Sequence, residues 1–206
     1  MPWTWPPRPA TRPHKPTPTT TWATCGSGGA NYPRALDHAR QALTLFQATG
    51  HQHGQANALN TVGWCHAQLG DHQQALTACQ QALTLFQELG DRDGQAATWD
   101  SIGYAHHHLG HRTHAITSYH HALTLKRDLG DRYEQATTLT HLGDTHHTTG
   151  NHHAAHDAWH QALTILNDLN HPDAEQLRIK LASLDCPASE PADGGANDCA
   201  QQAGSS

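Results

Sequence analysis

The segment Ala82-Leu83-Thr84-Leu85-Phe86-Gln87-Glu88-Leu89-Gly90-Asp91-Arg92 decides the fold, because parts of it return at intervals of 40 residues. A fixed period of about 20–50 residues is typical of stacked arrays, in which each unit buries its apolar face only against its neighbours. The sequence therefore predicts a repeat array over residues 31–184, and such an array favours a binding surface over a catalytic pocket. The copies are Ala42-Leu43-Thr44-Leu45, Ala122-Leu123-Thr124-Leu125, Ala162-Leu163-Thr164-Ile165 and, for the last four residues, Leu129-Gly130-Asp131-Arg132.

Each repeat contains the pattern of two amphipathic helices. In the first helix the core-facing residues recur at i, i+3, i+4 and i+7, and the second helix carries a stripe of its own. A connection of about two residues places two such helices antiparallel. The first stripe is Leu59, Val62, Gly63 and His66, and the second is Ala75, Cys79, Ala82, Leu83 and Phe86.

Turn and capping residues separate the helices. Gly70 suits the left-handed position that follows a helix, and Asp71 suits the N-cap of the next helix. Asp91 is expected to cap in the same way, and Asp131 with Glu134 three residues later forms a capping-box pattern. We therefore expect a lone helix at about 32–49, three helix pairs at 55–89, 95–129 and 135–169, and a final helix at about 173–184.

Glycine recurs at one position of the first helix in three copies, at Gly63, Gly103 and Gly143. A glycine inside a helix is about 1 kcal/mol less favourable than an alanine. Its recurrence therefore implies a geometric need, and we expect two helix backbones to approach closely at this point.

The spacing of these residues resembles the tetratricopeptide repeat, whose pattern is W-x2-L-G-x2-Y followed by A, F and A. The repeat here is about six residues longer than the usual one, and in this 40-residue form it is similar to arrays in kinesin light chains and in actinobacterial regulators. The resemblance implies an all-α superhelix of antiparallel helix pairs. The matching residues are Leu59-x2-Val62-Gly63-x2-His66 with Ala75, Cys79 and Ala82, then Trp99-x2-Ile102-Gly103-x2-His106 with Ala115, Tyr119 and Ala122, then Leu139-x2-Leu142-Gly143-x2-His146 with Ala155, Trp159 and Ala162.

In the tetratricopeptide repeat family the first helix of each pair lines a concave groove. The resemblance therefore implies a set of ligand-binding residues on these helices. Trp64 and Tyr104 occupy equivalent positions one repeat apart, so they could anchor a peptide or simply pack on a neighbouring helix. No lysine or arginine is among the implied residues, so a clamp for a C-terminal carboxylate is not expected. The implied groove residues are Asn57, Asn60, Trp64, Ala67, Gln68, Ala97, Asp100, Tyr104, His107, His108, Thr137, Thr140, Asp144, His147 and Thr148.

The 21 histidines, 20 of them within residues 31–184, suggest two further hypotheses. His152, His156 and His160 share one helix face at i, i+4 and i+8, a spacing that can place two imidazoles on one metal ion. No cysteine or carboxylate completes a four-ligand set there, so we expect no dedicated metal site and no cofactor. His66, His106 and His146 belong to the core stripe, where burial opposes protonation, so we expect lower stability below about pH 6.

Composition limits the cellular setting and the partners. Residues 1–30, with seven prolines in the first 18 positions, and residues 185–206, rich in Ala, Gly, Ser and Asp, are expected to be disordered. The five cysteines show no paired spacing, which favours a reducing compartment. No apolar run resembles a signal peptide or a membrane span, so we expect a cytoplasmic protein. Residues 31–184 carry 9 basic and 14 acidic side chains, which does not favour nucleic acid as a direct partner.

Three functions remain open at the level of sequence. The first is a non-enzymatic scaffold that binds a protein or peptide in the groove, because the sequence contains no P-loop, nucleophile elbow or HExxH motif. The second is the sensor or oligomerisation part of an actinobacterial transcriptional regulator or signalling NTPase, with homo-oligomerisation possible. The third is a histidine-rich metal-binding protein.

Overall fold

The structure, a computed structural model, describes residues 31–185, and within that range every regular element is an α-helix. The all-α fold class expected from the repeat is confirmed. The segments predicted to be disordered were 1–30 and 185–206. Residues 1–30 and 186–206 lie outside the described residues, and Asp185 is the last residue of the final helix. The helices are α1 (Tyr32–Ala48), α2 (Gln52–Gln68), α3 (His72–Glu88), α4 (Arg92–His108), α5 (Arg112–Leu129), α6 (Arg132–Thr148), α7 (His152–Asp168) and α8 (Ala174–Asp185).

The chain divides into two compact units at residues 129 and 130. In the first unit, α2 packs against α3 and α4 packs against α5, and further contacts join α1 to α2, α3 to α4 and α2 to α4. In the second unit, α6 packs against α7, and α7 packs against α8. Each predicted helix pair is therefore present, and the first helices α2 and α4 are neighbours within the first unit.

The turns between helices are built as the sequence predicts. The first helix of each pair begins earlier than predicted. Gly70 has a φ of +88°, the left-handed conformation that favours glycine, and Asp71 N–H donates to His66 O at 2.9 Å behind it. The first helices of the pairs start at residues 52, 92 and 132, three residues before the predicted starts. The first residue of the resembled pattern, Leu59, lies seven residues after the start of α2, about two turns inside the helix, so the pattern does not mark where the helix begins.

Two of the three expected aspartate caps are confirmed. The Asp91 carboxylate accepts from Gly94 N–H at 3.0 Å, and that of Asp131 accepts from Glu134 N–H at 3.1 Å. The side-chain capping bond predicted for Asp71 is not formed. Asp71 stands at the N-cap of α3 but makes no side-chain capping bond, because its Oδ2 lies 3.2 Å from His66 Nδ1.

The recurring glycines make room for the second helix of each pair. A Cβ on Gly63 would clash with Cys79 Sγ and lie 3.1 Å from Ala75 O, so two backbones approach there as predicted. A Cβ on Gly103 would instead lie 2.6 Å from the Tyr119 ring, and one on Gly143 would clash with the Trp159 ring. In these two copies the nearest atoms belong to an aromatic side chain.

The core contains the two cysteines that the sequence places inside helices. The side chains of Cys65 and Cys79 are both buried. Burial raises the pKa of the Cys79 thiol to about 12, so it remains protonated and acts as a small apolar side chain. Among the described helices, none is long and apolar enough to cross a membrane.

Candidate functional site

In the first unit, the implied groove residues bring two large aromatic side chains together. Trp64 on α2 and Tyr104 on α4 are both partly exposed, and their ring centres are 5.2 Å apart at an angle of 54°. The tilted contact is favourable for aromatic pairs, which prefer offset or edge geometries at 4.5–7 Å. The rings thus join the two first helices and still present part of their surface to solvent.

Two histidines extend this pair into a row of four rings. The Tyr104 ring centre lies 4.4 Å from that of His108, and His108 stacks on His72 at 4.8 Å with an interplanar angle of 11°. We call Trp64, Tyr104, His108 and His72 the aromatic row. Sequence reasoning included the first three members and missed His72, which enters from the start of α3 and not from a first helix.

Three implied groove residues of the first unit are buried: Ala67 is 3% exposed, and Asn60 and Asp100 bury polar side chains. Asn60 is 7% exposed, and the Cys79 thiol donates to its Oδ1 at 3.8 Å. Asp100 is 8% exposed, and its Oδ1 lies 3.7 Å from Nζ of Lys126, which is itself 3% exposed. The Asn60 and Asp100 side chains therefore face the second helices, where they support the face without being accessible to a partner.

The remaining implied residues of the first unit lie near its surface. Asn57 is partly buried, and its amide donates to Nδ1 and to the backbone oxygen of His53, at 3.0 and 3.1 Å. His53 in turn donates from Nε2 to Asp91 Oδ2 at 2.9 Å. His107 is partly buried and packs edge-on against His108, with ring centres 4.9 Å apart.

In the second unit, the implied groove residues surround an indole and an ammonium group. Trp159 Nε1 donates to Asp144 Oδ1 at 3.0 Å. The Lys180 ammonium on α8 pairs with the same carboxylate and lies 5.5 Å from the centre of the Trp159 ring. His147 is exposed, and its ring centre is 5.4 Å from those of Trp159 and His152.

A pocket of about 180 Å³ lies between α6 and α8 in the second unit. Its volume is well below the roughly 300 Å³ at which pockets for drug-sized ligands begin, so it fits a side chain better than a cofactor. Tyr133 on its wall donates to Asp173 Oδ2 at 3.0 Å, and burial together with that carboxylate raises the pKa of Tyr133 to about 12. The lining residues are Tyr133, Thr137, Thr140, His141, Leu166, Asp173, Gln176, Leu177 and Lys180.

This pocket contains a cation that sequence reasoning did not place there. Thr137 and Thr140 were implied groove residues, and the structure adds Lys180 beside them. Sequence analysis predicted α8 only as a final helix and included none of its residues in the implied groove. Because Lys180 already pairs with Asp144, its charge is compensated within the unit.

The histidine face of α7 does not gather into one site. His156 stacks on His160 at 5.9 Å, and His152 lies against His147 of the preceding helix. The carboxylate of Asp157 lies 3.1 Å from His153 Nδ1 and 3.8 Å from His156 Nδ1. Among residues 31–185, no group of three or more His, Cys, Asp or Glu side chains could hold a metal ion.

Comparison with known proteins places these helices in a family. A family model described as tetratricopeptide repeat matches residues 30–88, 65–128 and 94–168, which together span more than half of the chain. A comparison with curated protein sequences gives no significant match.

Two solved structures share the fold at low sequence identity. The crystal structure of a Rap protein complexed with Competence and Sporulation Factor superposes with a TM-score of 0.68 and 19% identity, over 75% of this chain and 43% of that chain. BtubC (BKLC) from P. vanneervenii superposes with a TM-score of 0.63 and 16% identity, over 76% of this chain and 66% of that one. The present chain thus spans less than half of the length of the Rap protein.

Proposed function

The chain belongs to the tetratricopeptide repeat family, and from that premise we propose that it binds a peptide segment of a partner protein across the aromatic row of α2 and α4. The general role that accompanies the family is a protein-interaction scaffold. The observation that carries the specific proposal is the contact between Trp64 and Tyr104, because it presents two large rings side by side on adjacent first helices.

The aromatic row has the properties of a binding hot spot. Tryptophan and tyrosine are enriched where binding energy concentrates, because they bury a large area and lose few torsional degrees of freedom. Neither ring is fully buried, so a partner side chain can cover what remains exposed. His108, an exposed neighbour, lengthens the same surface.

The chemistry of the row indicates what kind of segment would bind. Stacked rings favour an apolar or aromatic side chain on the partner, and the implied groove residues of the first unit contain no lysine or arginine. A segment that depends on a terminal carboxylate would find no cation there. The Rap structure contains a bound factor, so an array of this fold can hold a second molecule. We therefore propose a segment with at least one internal aromatic or long aliphatic anchor.

The proposal is tested with a random-peptide display library selected against the full chain. The best peptides are then measured by fluorescence anisotropy against the wild type and the double variant Trp64→Ala/Tyr104→Ala. Loss of two hot-spot rings is expected to weaken binding by at least about 2 kcal/mol, roughly thirtyfold.

A matched control removes two side chains from the second helices. Thr77 on α3 and Thr117 on α5 are exposed and occupy equivalent positions one repeat apart. Thr77→Ala/Thr117→Ala should leave peptide affinity unchanged, while circular dichroism confirms that both double variants remain helical. Peptides that bind the Trp64→Ala/Tyr104→Ala variant as tightly as the wild type would contradict the proposal.

A further inference from the structure

The first and the last described helices carry the two most exposed large apolar side chains. Among residues 31–185, Leu45 on α1 is 67% exposed and Ile179 on α8 is 63% exposed. Leu45 and Ile179 lie inside helices, so the geometry of a turn does not explain their exposure. The other exposed leucines lie where a helix ends at a turn, and each is less than half exposed; they are Leu69, Leu89, Leu129 and Leu169.

The 40-residue period gives both of these side chains a counterpart in the first unit. Leu45 corresponds to Leu85 on α3, and Ile179 corresponds to Leu59 on α2. Leu59 belongs to a buried cluster that includes Phe86 of α3, and Leu85 packs against that cluster. Leu45 and Ile179 are therefore the two halves of an apolar cluster that a first helix and its second helix form within the chain.

The helix α1 is a second helix, and no described first helix completes its pair. Its Ala42 and Phe46 are only partly buried. Their counterparts on α3, Ala82 and Phe86, are buried. Within residues 31–185, α1 thus leaves uncovered the face that would pair with a first helix.

The helix α8 is a first helix, and no described second helix completes its pair. It packs against α7 and buries Leu177 and Leu181. The stripe that a first helix directs at its second helix is exposed on α8 and buried on α6. On α8 this stripe is Ile179, Ala182 and Ser183, and on α6 it is Leu139, Leu142 and Gly143.

The two uncovered faces also match in the size of their side chains. In each helix pair of the chain, a glycine on the first helix faces a larger side chain on the second; the pairs are Gly63 with Cys79, Gly103 with Tyr119, and Gly143 with Trp159. At the equivalent positions α8 carries Ser183 and α1 carries Ala39. A larger residue on the first helix is thus matched by a smaller residue on the second, as close packing requires.

The flanking segments of the chain have compositions that disfavour the two missing helices. A first helix one period before α2 would occupy residues 12–28, where Pro13, Pro16 and Pro18 oppose a helix. A second helix one period after α7 would begin at residue 192, where Gly194 and Gly195 oppose it. The sequence therefore favours another copy of the chain as the source of each missing helix.

We propose that α8 of one copy packs against α1 of another copy, so that the two helices form a fourth helix pair between chains. The interface joins two different surfaces and is therefore heterologous. Each copy keeps one free face of each kind after a first contact, so association proceeds head to tail. The aromatic row on α2 and α4 takes no part in this contact.

Two long polar side chains of α8 stand beside the proposed contact. Gln176 and Arg178 occupy the positions of Ala136 and Thr138 on α6. Gln176 lines the pocket next to α6, and Arg178 donates to Asn167 Oδ1 on α7 at 2.7 Å. Both side chains thus lie against their own unit, and the proposed contact does not require them.

The test follows the mass of the full chain by sedimentation velocity from micromolar to millimolar concentrations. The wild-type chain should associate as its concentration rises. Leu45→Asp and Ile179→Asp should each weaken association at least about tenfold, because each places an unpaired carboxylate in the interface. The control Thr84→Asp adds the same charge to an exposed position of α3 and should associate like the wild type. Circular dichroism checks that all three variants remain helical.

Mixing the two interface variants separates head-to-tail association from every other arrangement. Leu45→Asp keeps an intact α8 face, and Ile179→Asp keeps an intact α1 face. An equimolar mixture should therefore form a one-to-one dimer with wild-type affinity that does not grow further. A wild-type chain that stays monomeric, a mixture without this dimer, or either variant that associates alone as tightly as the wild type would overturn the proposal.

Discussion

At the residue scale, the recurring glycines show that the absence of a side chain on one helix makes room for a side chain of the next helix. Gly103 faces the ring of Tyr119, which is 1% exposed, so the ring occupies the volume that a Cβ would need. Interiors are packed closely enough that one added methyl group is felt. The pair acts as a unit in which neither member can be changed alone without loss of stability.

Gly103→Ala is expected to destabilise the protein by up to about 2 kcal/mol. The added methyl group overpacks the site by about 1–3 kcal/mol, while the better helix propensity of alanine returns about 1 kcal/mol. Urea unfolding followed by circular dichroism gives the difference. In a Tyr119→Ala background the same substitution should no longer destabilise, because the ring is absent. A Gly103→Ala protein more stable than the wild type would show that the ring does not constrain this position.

Asp100 and Lys126 form the second residue-scale feature, an ion pair inside the first unit. Asp100→Asn is expected to cost about 3 kcal/mol, because it leaves the buried Lys126 ammonium with less compensating charge. The control is Asp128→Asn, which breaks an ion pair with Arg92 whose side chains are about half exposed and should cost under about 1 kcal/mol. Equal losses of unfolding free energy in the two variants would contradict the assignment of Asp100 to the interior.

The same residues show where prediction from sequence succeeded and where it failed. The small positions were identified because glycine and alanine return in every copy. The burial of Asn60 and Asp100 was missed because adjacent helix positions differ by about 100° in direction, and both residues lie at the border between the core and the groove. A lysine at position 126, where other copies have Phe46 and Phe86, was the available signal that a buried partner for Asp100 was needed.

At the element scale, local sequence patterns predicted most of the helix ends correctly and made one error. Glycine after each of the first six helices and aspartate at 91 and 131 predicted the turns correctly, since both residue types act through local backbone geometry. The predicted capping bond of Asp71 was wrong because the Asp71 carboxylate contacts His66 of the preceding helix instead. Local patterns cannot show such a contact, since it depends on how the helix end is oriented.

The α4–α5 turn should lose stability as the solution is acidified. The pKa of His106 is lowered in the folded state, so between that value and 6.5 the unfolded chain binds more protons. The free energy of unfolding should therefore fall as the pH decreases through this window. Melting temperatures measured in a chelator between about pH 7.5 and 5.5 check this.

The variant His111→Asn/His114→Gln provides the control for this pH dependence. It removes the two neighbouring imidazoles that help to lower the pKa of His106, so its melting temperature should change less over the same range. A wild-type melting temperature that stays flat, or an identical slope in the variant, would show that this cluster does not control the acid response.

At the scale of the whole molecule, the 40-residue repeat predicted the fold but could not predict the binding partner. Core positions are constrained in every repeat by the same packing, so Ala75, Ala115 and Ala155 are identical and all fully buried. Surface positions of the first helices have no such constraint, and one equivalent position carries Trp64, Tyr104 and Asp144 in turn. The proposed function rests on these variable residues, and only the structure shows which of them meet.

We propose that a partner peptide binds across α2 and α4 through the aromatic row. Hydrogen exchange with mass spectrometry on the full chain, with and without a selected peptide, tests it most directly. We predict slower exchange in segments from Gln52–Gln68 and Arg92–His108, and no change in the Trp64→Ala/Tyr104→Ala variant. Slower exchange confined to α3 and α5, or to residues 1–30, would contradict the claim.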